Sequence, residues 1–145
     1  MTIIRITIVA FLLSILSAVA AEHLTRVVPI VGSFVSLTLV YNPGVAFSIQ
    51  FPSWMQTLFI TLALIGVMIA ARHRSRTTVQ TLAYGMTIGG ALANIVDRLV
   101  DGVVTDYLSI GSFPVFNVAD SFICVGIGLL LFGGGKRQET RDSRQ

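Results

Sequence analysis

Long apolar stretches alternate with short polar ones along this chain. The first runs from about Ile3 to Ala21 and is broken only by Arg5. Trp54 to Ala71 and Thr77 to Val96 follow, neither with a charge, and about Asn117 to Gly134 carries Asp120 in its first turn. A helix crosses the hydrocarbon core with roughly 20 mainly apolar residues, so the pattern predicts four membrane-spanning helices. Residues 33–41 alternate with period two, placing Val35, Leu37, Leu39 and Tyr41 on one face with Ser36 and Thr38 on the other, which predicts a strand. Asn42-Pro43-Gly44 reads as a turn and Ala46-Phe47-Ser48-Ile49 as a returning strand. Val103 to Tyr107 reads as a short extended piece. Gly111 and Pro114 then turn the chain toward Phe116-Asn117 and the fourth helix. The expected fold class is an all-α membrane protein, with four transmembrane helices and a small β-hairpin or sheet on the outer face. Residues 1–135 form its single domain and 136–145 a polar cytoplasmic tail.

Composition agrees with a bilayer as solvent. The 145 residues are 54% hydrophobic and 12% charged, with mean hydropathy +0.83, against about 25% charged in a soluble domain. The net charge of +3 does not indicate nucleic acid, because the cations sit in short clusters between apolar runs and form no polar face. Those clusters orient the chain. Arg5, Arg72, Arg74, Arg76, Lys136, Arg137, Arg141 and Arg144 fall on one side of four spans, and only Arg26 and Arg98 on the other. Cations favour the cytoplasm, so both termini are expected there. A second reading of the first run is a cleaved signal peptide, with Arg5 before an apolar core and Ala18-Val19-Ala20 as the cleavage region. It would leave three spans and an outer N-terminus.

The acids lie opposite to the cations. Glu22, Asp97, Asp101, Asp106 and Asp120 fall at or beyond the outer ends of the spans, so chemistry is expected at the outer face. A carboxylate in the first turn of a membrane helix is costly unless partnered or functional. Asp120 therefore reads either as a catalytic group or as a helix-end carboxylate favoured by the helix N-terminus, with Asn117 on its face. Asp106 lies fourteen positions earlier, and the turns between let the loop fold back. Two facing aspartates suit peptide hydrolysis: one stays protonated and polarises the carbonyl while the other activates water. Asn94, Asp97 and Arg98 share one helix face and read either as part of that site or as an interfacial ion pair with an amide neighbour. Gly85, Gly89 and Ala93 read as helix-packing residues.

Other chemistries lack residues. A Ser–Lys dyad fails because the only lysine, Lys136, is on the opposite side. Cys124 reads as a buried packing thiol, and one cysteine permits no intrachain disulfide. His23 and His73 flank different runs, no HExxH occurs, and no metal site or cofactor is expected. The alternative from another class is a small transporter or membrane assembly factor using Asp120 as a proton or ion site. It would need a second deep polar residue, and spans two and three offer only Gln56 and small hydroxyls.

Four segments resemble motifs of the lipoprotein signal peptidases (signal peptidase II). Asn42-Pro43-Gly44-Val45-Ala46-Phe47 is similar to that family's N-x-G-x-A-F, and Gly89-Gly90-Ala91-Leu92-Ala93-Asn94-Ile95-Val96-Asp97-Arg98 to its G-G-A-x-G-N-x-x-D-R. Gly102-Val103-Val104-Thr105-Asp106-Tyr107 resembles G-x-V-x-D-F, and Phe116-Asn117-Val118-Ala119-Asp120 resembles F-N-x-A-D. The order is right and nearly the whole chain is covered. The resemblance implies an aspartic peptidase of the bacterial inner membrane that removes signal peptides from diacylglyceryl-modified prolipoproteins. It implies Asp106 and Asp120 as the catalytic pair, and Asn42, Gly44, Asn94, Asp97, Arg98 and Asn117 as supporting residues. Membrane lipids and globomycin-type cyclic peptides are then expected partners, with no metal or cofactor. A monomer suffices, since one chain holds every needed residue. Glu22-His23-Leu24-Thr25-Arg26 stands where the family has D-Q-x-T-K, so Glu22 joins the supporting set through a longer acid. Ala93 and Tyr107 replace a usual glycine and phenylalanine.

Overall fold

The computed structural model describes residues 2–46, 49–50, 52–72 and 77–133. Phe47 and Ser48 of the expected return strand, His73, Arg74 and Arg76 of the basic loop, and the tail 136–145 lie outside the described residues. Four helices are present: α1 (Ile3–Ala21), α2 (Ser53–Arg72), α3 (Thr78–Asp101) and α4 (Val118–Phe132). Their starts follow from capping. Thr77 and Gln80 close a capping box at α3, as Asn117 and Asp120 do at α4, each satisfying backbone donors that the first turn leaves open. Gly102, in the left-handed region at φ 87°, ends α3. Helices α1 and α2 are long and apolar enough to cross a membrane; α4 is apolar but shorter.

The helices bury mostly small side chains and expose many large ones. Ile6, Ala10, Ser14 and Ala21 are the buried face of α1, while Ile4, Leu12, Leu16 and Val19 are exposed. Trp54, Phe59 and Leu62 do the same on α2. Exposed apolar surface on this scale marks contact with something other than water, and small buried residues let helix backbones approach. Helix α3 packs between α1 and α4. A Cβ on Gly89 would stand 2.6 Å from the Thr7 carbonyl oxygen of α1, and one on Gly90 2.5 Å from the Ala119 carbonyl oxygen of α4. Gly85 likewise abuts Ile6, and Ala93 is buried. The interior hydroxyls return their protons to their own helix: Ser14 to the Ala10 carbonyl at 2.8 Å and Thr87 to the Ala83 carbonyl at 2.9 Å.

The strand expected at residues 33–41 forms, but with other partners. Strand β2 (Val35–Asn42) lies between β1 (Val28–Val31) and β5 (Val104–Ile110) in an antiparallel sheet. The hairpin therefore closes one turn earlier than the Asn42-Pro43-Gly44 signal suggested, at residues 32–34, where Phe34 N–H donates to the Val31 carbonyl at 3.0 Å. The short strands β3 (Val45–Ala46) and β4 (Ile49–Gln50) pair only with each other. The fixed alternation along β2 also breaks. Leu37 faces Leu108 but Val40 faces Asp106, three steps along β2 against two along β5. This one-residue bulge reverses which side chains share a face. After it, Val40 and Asn42 stand on the face of Asp106, where an unbroken register would put Leu39 and Tyr41.

The segment after β5 folds back as its turn residues predict. Gly111, at φ 54°, donates its N–H to the Phe34 carbonyl at 2.7 Å. Phe116 then bridges to Leu108, with bonds of 2.7 and 3.0 Å. That return sets Asn117 and the start of α4 beside β5.

Candidate active site

Asp106 is the third residue of β5 and is only 2% exposed. A buried carboxylate needs donors, and amides supply them. Asn42 Nδ2 donates to Oδ2 and Asn117 Nδ2 to Oδ1, each at 3.0 Å. Asn117, 4% exposed, uses its second amide hydrogen on Asn94 Oδ1 at 3.1 Å. Asn94 Nδ2 in turn donates to Asp120 Oδ1 at 2.7 Å. Asn117 Oδ1 also accepts the backbone N–H of Asp120 at 2.9 Å, and Asp120 Oδ2 accepts that of Asn117 at 3.4 Å. Two asparagine side chains thus connect the two carboxylates, and each amide is oriented by bonds at both ends: Asn117 through both its hydrogens and its oxygen, Asn94 through one hydrogen and its oxygen. Asp120 is a helix-capping carboxylate and a member of this network at once.

Asp106 and Asp120 line one cavity of about 260 Å³ with Asn42, Asn94 and Arg98. Apart from Thr87 its other described walls are apolar, among them Ile60 and Leu64 of α2, Ala91 of α3 and Ile123 of α4. The environment acts on the outer carboxyl. Burial pushes Asp106 up to about 6, opposed by the hydrogen bond from Asn42, reinforced by the charge of Asp120, and opposed again by Asn117 and Arg98. A carboxyl whose proton is held up to about pH 6 beside a second carboxylate is an arrangement suited to acid–base hydrolysis. A larger apolar cleft, about 610 Å³, lies between α1 and α2 around Ile4, Ile8 and Met68, with Arg72 its only charged wall among the described residues.

The other expected site residues separate into two groups. Asp97 holds the strand on which Asp106 sits: Thr105 donates its N–H to Oδ2 at 2.7 Å and its hydroxyl to Oδ1 at 3.4 Å. Gly44 N–H donates to Asn42 Oδ1 at 2.9 Å, fixing the Asn42 amide. Arg98 Nη2 donates to Gln56 Oε1 at 3.1 Å, and its Nε is buried without a partner among the described residues. The shared face of Asn94, Asp97 and Arg98 is therefore real, but each reaches a different element and no ion pair between Asp97 and Arg98 forms among the described residues. Glu22 stands apart. It is exposed at the end of α1 and its carboxylate makes no hydrogen bond or ion pair among the described residues. Cys124, expected as a buried packing thiol, is exposed on α4, because the buried face there belongs to Ala119 and Gly126.

Three contributors were not legible beforehand. Gln56 reads in the sequence only as an isolated polar residue of the second span. Thr105 shows its role only once β5 is placed against α3. Tyr107, a departure by one hydroxyl, uses that hydroxyl: it donates to Ser17 Oγ at 2.5 Å and accepts the Val118 N–H at 3.3 Å. It thereby ties α1, β5 and the start of α4 together.

Known proteins share both the fold and the sequence. A bacterial membrane enzyme solved by the in meso method at 2.3 Å resolution has the same fold, with TM-score 0.76, 22% identity and coverage of 99% of this chain and 93% of that one. A second such structure, at 1.9 Å, gives TM-score 0.74 at 23% identity over 90% of each chain. The lipoprotein signal peptidase of Haemophilus influenzae is 41% identical, covering 73% of this chain and 68% of that protein. The lipoprotein signal peptidase of Neisseria meningitidis serogroup C is 37% identical over 90% of this chain and 83% of that protein. The family model described as signal peptidase (SPase) II matches residues 4–134, and the chain belongs to the signal peptidase II family.

Proposed function

We propose that this chain is an aspartic endopeptidase that removes signal peptides from diacylglyceryl-modified prolipoproteins at the outer face of the bacterial inner membrane. The observation that carries the reading is the pair Asp106 and Asp120, lining one cavity and connected through Asn117 and Asn94. The family membership supplies the reaction class. All four helices span the bilayer in this reading, both termini are cytoplasmic, and residues 1–135 act as one domain and as a monomer. Lipid surrounds the exposed apolar faces, and cyclic peptides of the globomycin type compete for the cavity.

Asp106, the more buried acid, holds the proton. Asp120 takes a proton from water as its oxygen attacks the scissile carbonyl carbon. Asp106 passes its proton to the carbonyl oxygen, giving a neutral tetrahedral diol. The Asp120 proton then goes to the amide nitrogen, the C–N bond breaks, and Asp106 recovers a proton from the diol. The amide donors on Asp106 keep its oxygens from rotating during the exchange. The apolar walls receive the signal helix and lower the local dielectric, which strengthens each charge interaction.

The test is cleavage of a diacylglyceryl-modified prolipoprotein by purified protein in detergent, beside Asp106→Asn and Asp120→Asn. Scission just before the lipidated cysteine, lost in both variants and indifferent to chelator, is the expected result. A variant with full activity sinks the pair. Folded wild type that never cleaves, but moves a solute or ion in sealed vesicles, returns the transporter reading.

A further inference from the structure

Gln56, in the first turn of α2, is outside the amide network that connects the two carboxylates, yet it closes a second one. Its Nε2 donates to the Gly44 carbonyl and its Oε1 accepts from Arg98 Nη2. Only one orientation of the amide satisfies both partners. Gly44 N–H donates to Asn42 Oδ1, and Asn42 Nδ2 to Asp106 Oδ2. Donation runs in one direction, from Arg98 through Gln56, Gly44 and Asn42 to Asp106. The close approach at Gly44 is required twice over: its φ is +107°, and a Cβ there would stand 2.7 Å from the Gln56 amide.

Arg98 needs this support. It lines the cavity with both aspartates, yet Gln56 gives it its one hydrogen bond among the described residues, and its Nε is buried unpaired. A long side chain so loosely held would otherwise sample several rotamers, and fixing one costs side-chain entropy. We propose that Gln56 is a positioning residue for the peptidase reaction, bridging Gly44 and Arg98 so that the guanidinium and the Asn42 turn are held as one unit around Asp106. The inference rests on the aspartate-pair reading above. The bond to Arg98 fixes where the positive charge stands; the bond to Gly44 fixes the amide that feeds Asp106.

Two variants separate this role from space-filling. Gln56→Leu keeps most of the volume and loses both bonds, and kcat is expected to fall about tenfold or more with KM within about twofold, the pattern of a misplaced catalytic group. Gln56→Glu keeps a partner for Arg98 but sets a new negative charge against the guanidinium. The groups facing the pair are Arg98, Asp97 through Thr105, and Tyr107 on the same strand. With Arg98 partly neutralised, the limb of the kcat/KM profile belonging to the pair moves to higher pH, by about half a unit or more. Wild-type kcat in Gln56→Leu, or an unmoved limb in Gln56→Glu, overturns the proposal; if Gln56→Leu fails to fold, the Gln56→Glu profile decides alone. Asp106→Asn and Asp120→Asn run beside them. Both inactive, with Gln56 variants like wild type, removes only the role of Gln56; activity in either aspartate variant removes the pair itself.

Discussion

The side-chain amide of Asn117 donates to Asp106 Oδ1 at 3.0 Å from the N-cap of α4, so the residue that begins the helix also holds the carboxylate of the neighbouring strand. Capping and site assembly are one event here. Helix α4 cannot start in register without bringing Asp120 to the cavity that Asp106 lines.

Asn117→Ser separates the two duties. Serine caps about as well as asparagine but cannot reach Asp106 and Asn94 together. Two buried acceptors then lose donors, at roughly 1–3 kcal/mol, and kcat should fall about 100-fold. Asn117→Asp also caps, but adds a third carboxylate between the other two and should fall further. Detergent melting curves and the cleavage assay measure both; an Asn117→Asp enzyme more active than Asn117→Ser contradicts the arrangement.

Gly90 tests the contact between α3 and α4. A methyl group there would stand 2.5 Å from the carbonyl oxygen of Ala119, the residue before Asp120. Gly90→Ala should cost about 1–3 kcal/mol of stability and most of the activity, since the start of α4 must shift. Gly128→Ala, on α4 with open space at its Cβ, should do neither. Thermal unfolding with parallel assays reads the difference.

Asp97 accepts from both the N–H and the hydroxyl of Thr105. Asparagine can reproduce this geometry, its oxygen accepting the N–H and its amide donating to the hydroxyl. Asp97→Asn should therefore keep activity within about threefold, whereas Asp97→Leu strands a backbone donor of β5 and costs roughly 1–3 kcal/mol. If Asp97→Asn is as inactive as Asp106→Asn, the charge of Asp97 takes part directly.

Asp106 also gives stability a pH dependence. Its folded value is about 6 against an ordinary 3.8. A raised carboxyl binds its proton more tightly folded than unfolded, so its favourable contribution is complete below about pH 4 and is lost as pH rises through about 6. Across that window wild type should lose roughly 2–3 kcal/mol relative to Asp106→Asn. Paired melting curves from pH 4 to 8 measure it, and parallel curves would contradict the burial of this carboxyl.

Much of the helical layer was readable in the sequence. Span one coincides with α1, and spans two and four with α2 and α4 to within two residues, because apolar length is a strong signal. Helix α3 continues five residues beyond Val96, to Asp101. Its polar end was not apolar enough to count as span, yet Asn94, Asp97 and Arg98 all turn inward to partners. The fold-back that brings Asn117 to Asp106 was visible in Gly111 and Pro114. Strand β2 and the start of β5 were visible too, but not β1 or the pairing: β1 has no alternation that its four exposed residues could express, and strand pairing is decided by contacts far apart in the chain. The role of Gln56 left no local signature, since it depends on two partners twelve and forty-two residues away.

The extra residue between Leu37 and Val40 places slack in β2 just ahead of the site. Thr38 and Leu39 together span a single step of β5, so losing one of them would close the ladder into plain alternation and leave Val40 opposite Asp106 and Asn42 opposite Val104. Losing Tyr41 has no such outlet: Asn42 would move up to face Thr105, its amide would turn to the other side of the sheet, and Asp106 would lose a donor although its own neighbours kept their identity. Among related chains, the count of residues should vary at 38–39 far more readily than from Val40 to Asn42.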